Sequence, residues 1–276
     1  MRSKGGVALG GPVMPSDGVS GLAILAPGLE SAALRQGVEQ VIMHKHAAAL
    51  GFGLLAACLP AHADWSGKAE LGGSFASGNS DNESANAAAV VKYVRDQWKH
   101  ELGFAGNYGN SGGETMAQRW EVRGQSSYDF TPKAYWFGAG RYDDDRFSAF
   151  DYQGSLATGL GYRFINTDTT KFWVQGGPGY RVSKEQDTGD TIDGFIFRGD
   201  LGFEQQITGN TKIVERFLIE TGSDNTYLQN NLGLEVMMSG SLGLRIGYEV
   251  RHNTDVPPGI EKTDTLTTIG LLYETK

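Results

Sequence analysis

The sequence predicts an all-β fold: a transmembrane antiparallel up-and-down β-barrel of about 12 strands, with short periplasmic turns and longer extracellular loops. Three observations carry this. From Asp64 onward the chain is a series of strand-length segments in which apolar and polar residues alternate, the pattern of strands with one face to lipid and one to water. The gaps between them are alternately short and long. No apolar run approaches the roughly 18 residues a spanning helix needs, while the chain carries 40 glycines and 11% aromatic residues.

Twelve segments can be justified in order, each near the nine to eleven residues that a tilted strand uses to cross a bilayer. The first two run from about Trp65 to Ala76 and from about Glu83 to Val94. In Trp98 to Tyr108, Trp98, Leu102, Phe104 and Tyr108 oppose Lys99, Glu101 and Asn107. In Arg119 to Phe130, Trp120, Val122, Tyr128 and Phe130 oppose Arg119, Glu121, Arg123, Gln125 and Asp129. Ala134 to Tyr142 is the fifth. Tyr152 to Phe164 is the clearest, with Tyr152, Leu156, Leu160, Tyr162 and Phe164 opposite Gln153, Ser155 and Arg163. Phe172 to Val182, Phe195 to Phe203, Lys212 to Thr221, Leu228 to Met238, Leu242 to His252 and Thr265 to Tyr273 complete the set. In Lys212 to Thr221 either register sends Glu215 or Arg216 toward lipid, so its facing stays open.

Arg95 to Gln97, Thr131 to Lys133, Asn166 to Thr170, Thr208 to Asn210 and Ser239 to Ser241 are short and turn-like. Between them, Gly109 to Gln118, Asp143 to Asp151, Ser183 to Asp193 and Asn253 to Asp264 are longer and polar. Aromatics flank the short turns, as a membrane interface favours: Tyr93 and Trp98; Tyr128, Phe130, Tyr135 and Trp136; Phe164, Phe172 and Trp173. A soluble lipid-binding barrel is the alternative fold, but its interior would be apolar, and so many inward glycines would leave it poorly filled. Thr268 to Tyr273 resembles the C-terminal signal read by the barrel-assembly machinery, although the chain continues through Glu274, Thr275 and Lys276.

Residues 43–63 read as a secretory signal peptide: His44, Lys45 and His46, then an apolar stretch from Ala47 to Leu59, then Ala61-His62-Ala63 with cleavage between Ala63 and Asp64. Residues 1–42 read as an over-called start or an unstructured extension, and residues 64–276 as the barrel. The chain's single cysteine, Cys58, falls in the signal segment, where Leu55-Ala56-Ala57-Cys58 also fits lipoprotein processing. The formal charge is −8, and residues 1–63 contribute four basic against three acidic residues, which leaves −9 for the barrel. That balance argues against a nucleic-acid partner. The expected partners are membrane lipids and lipopolysaccharide, and the expected location is the outer membrane of a Gram-negative bacterium.

The polar face supplies the candidate functional residues. Arg119, Glu121, Arg123, Arg198, Asp200, Glu204, Arg245, Glu249 and Arg251 are all expected to line the lumen. Mixed signs on facing strands can pair and fill the interior, or can line a narrow pore and set its selectivity. Asp143 to Asp145 and the 187–193 loop offer oxygens to calcium or to lipopolysaccharide-bridging cations, without a dedicated calcium-loop spacing. Only two histidines follow Asp64. His100 reads as an interfacial residue. His252, near Asp255 and within reach of Asp143, Asp144 or Asp145 across the rim, is the acid–base candidate of a rival reading as an outer-membrane hydrolase. No catalytic residue, metal or prosthetic group is otherwise expected.

Two stretches carry a family resemblance: Glu220-Thr221-Gly222-Ser223-Asp224-Asn225-Thr226-Tyr227, and Tyr248 followed by Arg251 to Gly259 and Lys262 to Thr265. With Trp65-Ser66-Gly67 and Ser77-Gly78-Asn79-Ser80, they resemble the YdiY-like salt-induced outer-membrane proteins, a family of unknown function. The resemblance implies a single-chain outer-membrane barrel tied to salt or osmotic stress, and supplies no catalytic residue. The expected role is a small passive channel or a stress-response envelope protein.

Overall fold

The computed structural model describes residues 64–76 and 82–275. The signal segment, Cys58 and the preceding residues lie outside the described part, which starts at Asp64 on one side of the expected cleavage point. Twelve strands follow one another: β1 (Trp65–Ala76), β2 (Asn82–Arg95), β3 (Trp98–Ser111), β4 (Glu114–Asp129), β5 (Ala134–Asp145), β6 (Phe150–Asn166), β7 (Thr170–Glu185), β8 (Thr191–Gln206), β9 (Thr211–Gly222), β10 (Thr226–Ser239), β11 (Leu242–Asn253) and β12 (Thr263–Thr275). Each pairs antiparallel with its sequence neighbours, and β1 closes on β12. The closed ladder leaves no free sheet edge except where that last seam falls short, as described below.

We call the end bearing Asp64 and Thr275 proximal. Its turns span two to four residues, whereas distal connections reach nine residues at 254–262. The strands outrun the sequence expectation on the distal side. Gly109 to Gln118 is almost all strand, turning only at Gly112-Gly113, whose φ of 60° and 89° suit glycine. Asp143 to Asp145 end β5 instead of forming a loop, and Ser183 to Glu185 extend β7. Beyond the bilayer the outward residues of a strand are polar too. The apolar alternation stops there although the backbone ladder continues, so polar strand ends look like loops in sequence.

The outward face is apolar and exposed: Leu102, Leu156, Leu160, Phe195, Ile246 and Ile269 are examples. Aromatic rings close a chain around the proximal end, from Trp65 through Tyr93, His100, Trp98, Tyr128 and Trp136, and again from Tyr162 through Phe164 to Phe172. Trp120, Tyr142 and Tyr152, and separately Tyr180 and Phe195, form a distal counterpart. Such paired girdles mark the two interfaces of a transmembrane barrel. The register also decides β9. Arg216 points inward, its guanidinium 5.0 Å from the ring centre of Trp173, and Glu215 points outward to accept a hydrogen bond from Asn230.

Two aromatics assigned to the girdle turn out to face inward, because consecutive strand residues take opposite faces. Tyr135 is 4% exposed and lies under Arg163; Trp173 lies under Arg216. Each ring rests on a glycine of the next strand. A Cβ built on Gly161 would come within 2.1 Å of Tyr135, and one on Gly202 within 2.3 Å of Trp173. The β6–β7 pair is as tight at Gly159 and Gly177, where a Cβ would meet the backbone of the facing strand at 2.1 Å. These glycines are sockets for rings and backbone.

Gly161→Val should therefore destabilise the barrel by about 1–3 kcal/mol, the usual cost of overpacking. The check is the temperature at which unboiled protein loses its compact migration on a detergent gel. That temperature should fall in the single variant and recover in Gly161→Val with Tyr135→Ala; a fall that the second change leaves untouched would mean the ring is not the obstacle.

Candidate functional site: the barrel lumen

The alternation that builds the wall also aims its charged residues at one space. Arg119, Glu121, Arg123, Arg198, Asp200, Glu204, Arg245, Glu249 and Arg251 all lie on the inward face. They divide into two layers. In the distal layer, Arg119 of β4 contacts three carboxylates: Glu121 at 2.7 Å, Asp143 of β5 at 2.7 Å and Glu249 of β11 at 3.2 Å. Arg251 of β11 meets Asp145 of β5 at 2.7 Å and Glu249 at 3.3 Å. Since β5 and β11 stand on opposite sides of the wall, the Arg251–Asp145 pair crosses the whole lumen, and Arg119–Glu249 crosses nearly as far.

A second knot lies beside the first. Glu220 of β9 is fully buried and receives Arg141 at 3.0 Å, Arg198 at 3.1 Å and the Ser155 hydroxyl at 2.6 Å. Arg198 also grips Asp200 with two bonds, at 2.9 and 3.0 Å. Gln229 bridges toward Glu249 at 3.1 Å and Glu121 at 3.4 Å. Buried charges survive only when paired and hydrogen-bonded, and here nearly every one is. Among the described residues the exceptions are Nε and Nη1 of Arg141, the Tyr227 hydroxyl and, in the proximal layer, Oε1 of Glu70, buried without hydrogen-bond partners; the Arg141 guanidinium lies 4.3 Å above the Tyr227 ring, which offsets part of that cost.

Arg141, Asp143, Asp145 and Glu220 were not among the residues expected in the lumen; Asp143 and Asp145 were expected at the outer rim. Neither Arg141 nor Glu220 carried a clean signal: Arg141 shares its face with Tyr135, Phe137 and Ala139, and the facing of the segment that holds Glu220 stayed open in the sequence. Asp143 and Asp145 carried none, having read as loop.

The proximal layer is looser. Glu235 gathers Lys68 at 2.6 Å, Lys212 at 3.3 Å and Arg245 at 3.6 Å, and Arg245 also holds Glu70 at 2.8 Å. Glu204 has Arg216 at 3.6 Å and Lys171 at 3.7 Å. Arg123 keeps only a long 3.9 Å contact to Glu121, and its side chain is 44% exposed. These groups surround a cavity of about 400 Å³. A second space of about 90 Å³ continues it distally, sharing Glu70, Ala88, Ala105, Asn231, Arg245 and Glu249 with the first. The inward residues along β1, β2 and β3 are small there: Gly72, Asn86, Ala88, Gly103, Ala105 and Asn107. At the level of the distal web the lumen is thus packed against β4–β10 and unfilled against β12–β3, whereas the proximal cavity also borders β7–β10.

His252 does not meet the aspartates of β5. His252 faces outward with its Nδ1 2.8 Å from the Thr263 hydroxyl, while Asp143 and Asp145 face inward in ion pairs and Asp144 lies on β5 across the barrel. Among the described residues no group of three or more His, Cys, Asp or Glu side chains is placed to hold a metal ion, including Asp143 to Asp145.

The family model described as "Protein of unknown function, DUF481" matches residues 69–274. The "Uncharacterized protein YdiY" of Escherichia coli (strain K12) is 25% identical over 198 residues, which cover 71% of this chain and 78% of that protein. Among solved structures, the translocator domain of the autotransporter NalP from Neisseria meningitidis is 11% identical, covering 87% of this chain and 97% of its own, with a TM-score of 0.41. The NanC porin is 10% identical, covering 76% and 100%, with a TM-score of 0.47.

Glu220→Ala would leave Arg141 and Arg198 without their shared carboxylate. Removing one partner of a buried ionic cluster costs about 3–5 kcal/mol, so urea unfolding in detergent should shift to clearly lower denaturant. Lys171→Ala, on a half-exposed side chain, should stay within about 0.5 kcal/mol of the parent.

Proposed function

The chain belongs to the DUF481 family, and from that membership and the shape of its lumen we propose that it is a narrow passive channel in the outer membrane of a Gram-negative bacterium. The observation that supports this is the eccentric slot. The distal ion-pair web blocks the centre and one side, but a path remains along β12, β1, β2 and β3, where small inward residues (Gly72, Gly270, Asn86, Ala88, Ala105 and Asn107) stand beside Leu266 and Thr268 of β12. Distal to the slot the inward residues stay small, with Ser74, Ser84 and Gly109. In this reading the proximal end opens to the periplasm.

The lining sets what passes. The larger cavity is bordered by seven Lys or Arg and seven Glu side chains, so it favours neither sign strongly. Arg123 is the cation least committed to a carboxylate and is the natural selectivity handle. A path this narrow admits water and small ions and excludes larger nutrients. That matches the osmotic or salt-stress setting implied by the family resemblance, which is part of this proposal.

Protein refolded from residues 64–276 should show small discrete conductance steps in a planar bilayer. Ala88→Trp or Ala105→Trp, which fill the slot, should cut the steps by at least about fivefold. Arg123→Gln should lower relative anion permeability. Arg119 and Arg251, being locked in the web, should act on stability instead. Electrical silence from a heat-modifiable, folded barrel would sink the channel reading.

A further inference from the structure

The wall is not equally closed all round. β1 and β12 share six residue pairs, from Gly67↔Thr275 to Gly72↔Gly270. Every other neighbouring pair has at least eleven. Beyond Gly72 both strands continue: β1 stays laddered to β2 as far as Ala76↔Asn82, and β12 to β11 as far as His252↔Thr263. Among the described residues, 74–76 and 263–268 therefore have a ladder partner on one side and none across the seam, while the Ile269 carbonyl still lies against β1 at Gly72.

Such a gap is costly in the wrong place. Unpaired backbone groups facing hydrocarbon cost several kcal/mol each, and irregular backbone at membrane depth is tolerated where it borders a water-filled cavity. The gap begins just past Ile269, which lies opposite Ile246 at the edge of the apolar outer band; farther along, the outward positions of β12 are Thr267, Thr265 and Thr263. On its inner side, Leu266 and Thr268 of β12 line the 90 Å³ end of the slot, with Asn86 and Asn107 facing them. At its proximal end the unpaired stretch thus separates a small polar space from the apolar band. Outside, Leu71, Ile246 and Ile269 provide an apolar surface, all at least half exposed.

We propose that the distal half of the β1–β12 seam is a lateral port, through which single-chain amphiphiles with a compact polar head pass between the lumen and the surrounding leaflet. The head enters the slot and exchanges water for the amides of Asn86 and Asn107 and the hydroxyl of Thr268. The alkyl chain stays between the strands, against Leu71 and Ile269. The small volume restricts the head to a few heavy atoms, such as a carboxylate. The port uses the slot of the channel reading, but it does not depend on ion flow.

The test is photolabelling of the full chain, isolated from membranes and placed in phosphatidylcholine vesicles, with dodecanoate carrying a diazirine next to its carboxylate. Peptides containing Asn86, Asn107 or Thr268 should be labelled several-fold more than the outward-facing peptide around Leu156. In a Cys58→Ala background, a Ser74→Cys, Thr268→Cys disulfide across the seam should remove that excess, and reduction should restore it. Thr268→Trp, which fills the slot from β12 without a cross-link, should remove it too. Label spread evenly over the lipid-facing wall, or unchanged in the cross-linked and filled forms, would overturn the port. Head-group labelling in a protein that conducts no ions would defeat the channel reading and leave the port; conduction without such labelling would do the reverse.

Discussion

Everything in this molecule follows from one constraint: a backbone group inside a bilayer has no water to bond, so it must be paired within the wall. Twelve strands closed on themselves satisfy it along almost the whole circumference. Closure also fixes parity. Once each strand's register is set, alternate residues have no choice of side, and a one-residue slip would expose every lumen charge to lipid.

The lumen is the consequence. A ring of twelve strands encloses more space than its inward side chains can fill as apolar matter, and the parity rule delivers charges to that space from all sides. Arg119, Arg251 and Arg141 are long enough to reach carboxylates on strands far around the ring, and the resulting web braces the wall from within. Removing water from such pairs is expensive, so the web is a poor source of net stability but a strict specifier of arrangement, since any one loss strands a charge. Where inward residues are small, no bridge can form, and the slot along β12–β3 persists. Packed half and open half are two results of the same geometry.

The seam shows the constraint from the other side. The proximal part of β1–β12 is tied down thoroughly: the Thr275 hydroxyl accepts from the Gly67 amide at 2.8 Å, and Glu274 reaches Lys212 at 3.6 Å. This gives the residues after Tyr273 a structural role in closing the ring. Distally the pairing stops, and it stops where the slot supplies a polar lining. An incomplete ladder and an unfilled lumen therefore coincide at one place in the wall.

Much of this was legible in the sequence. All twelve strands were, because lipid on one side and water on the other write a period of two, and the inward parity of Arg119, Glu121 and Arg123 follows directly from Trp120 and Val122 facing out. The boundaries were less so: Asp143 and Asp145, buried in lumen ion pairs, look like loop because the outward Asp144 between them is polar too, which erases the period while the hydrogen-bond ladder runs on. Tyr135 and Trp173 looked like girdle residues because composition near a turn does not distinguish i from i+1. Sequence alone thus determined the wall and the class of group on each face, since those depend only on nearest neighbours along the chain. Which charge meets which, where the lumen stays open and where the seam is short were decided by tertiary structure, because they depend on distances between strands far apart in the chain, set by closure of the ring.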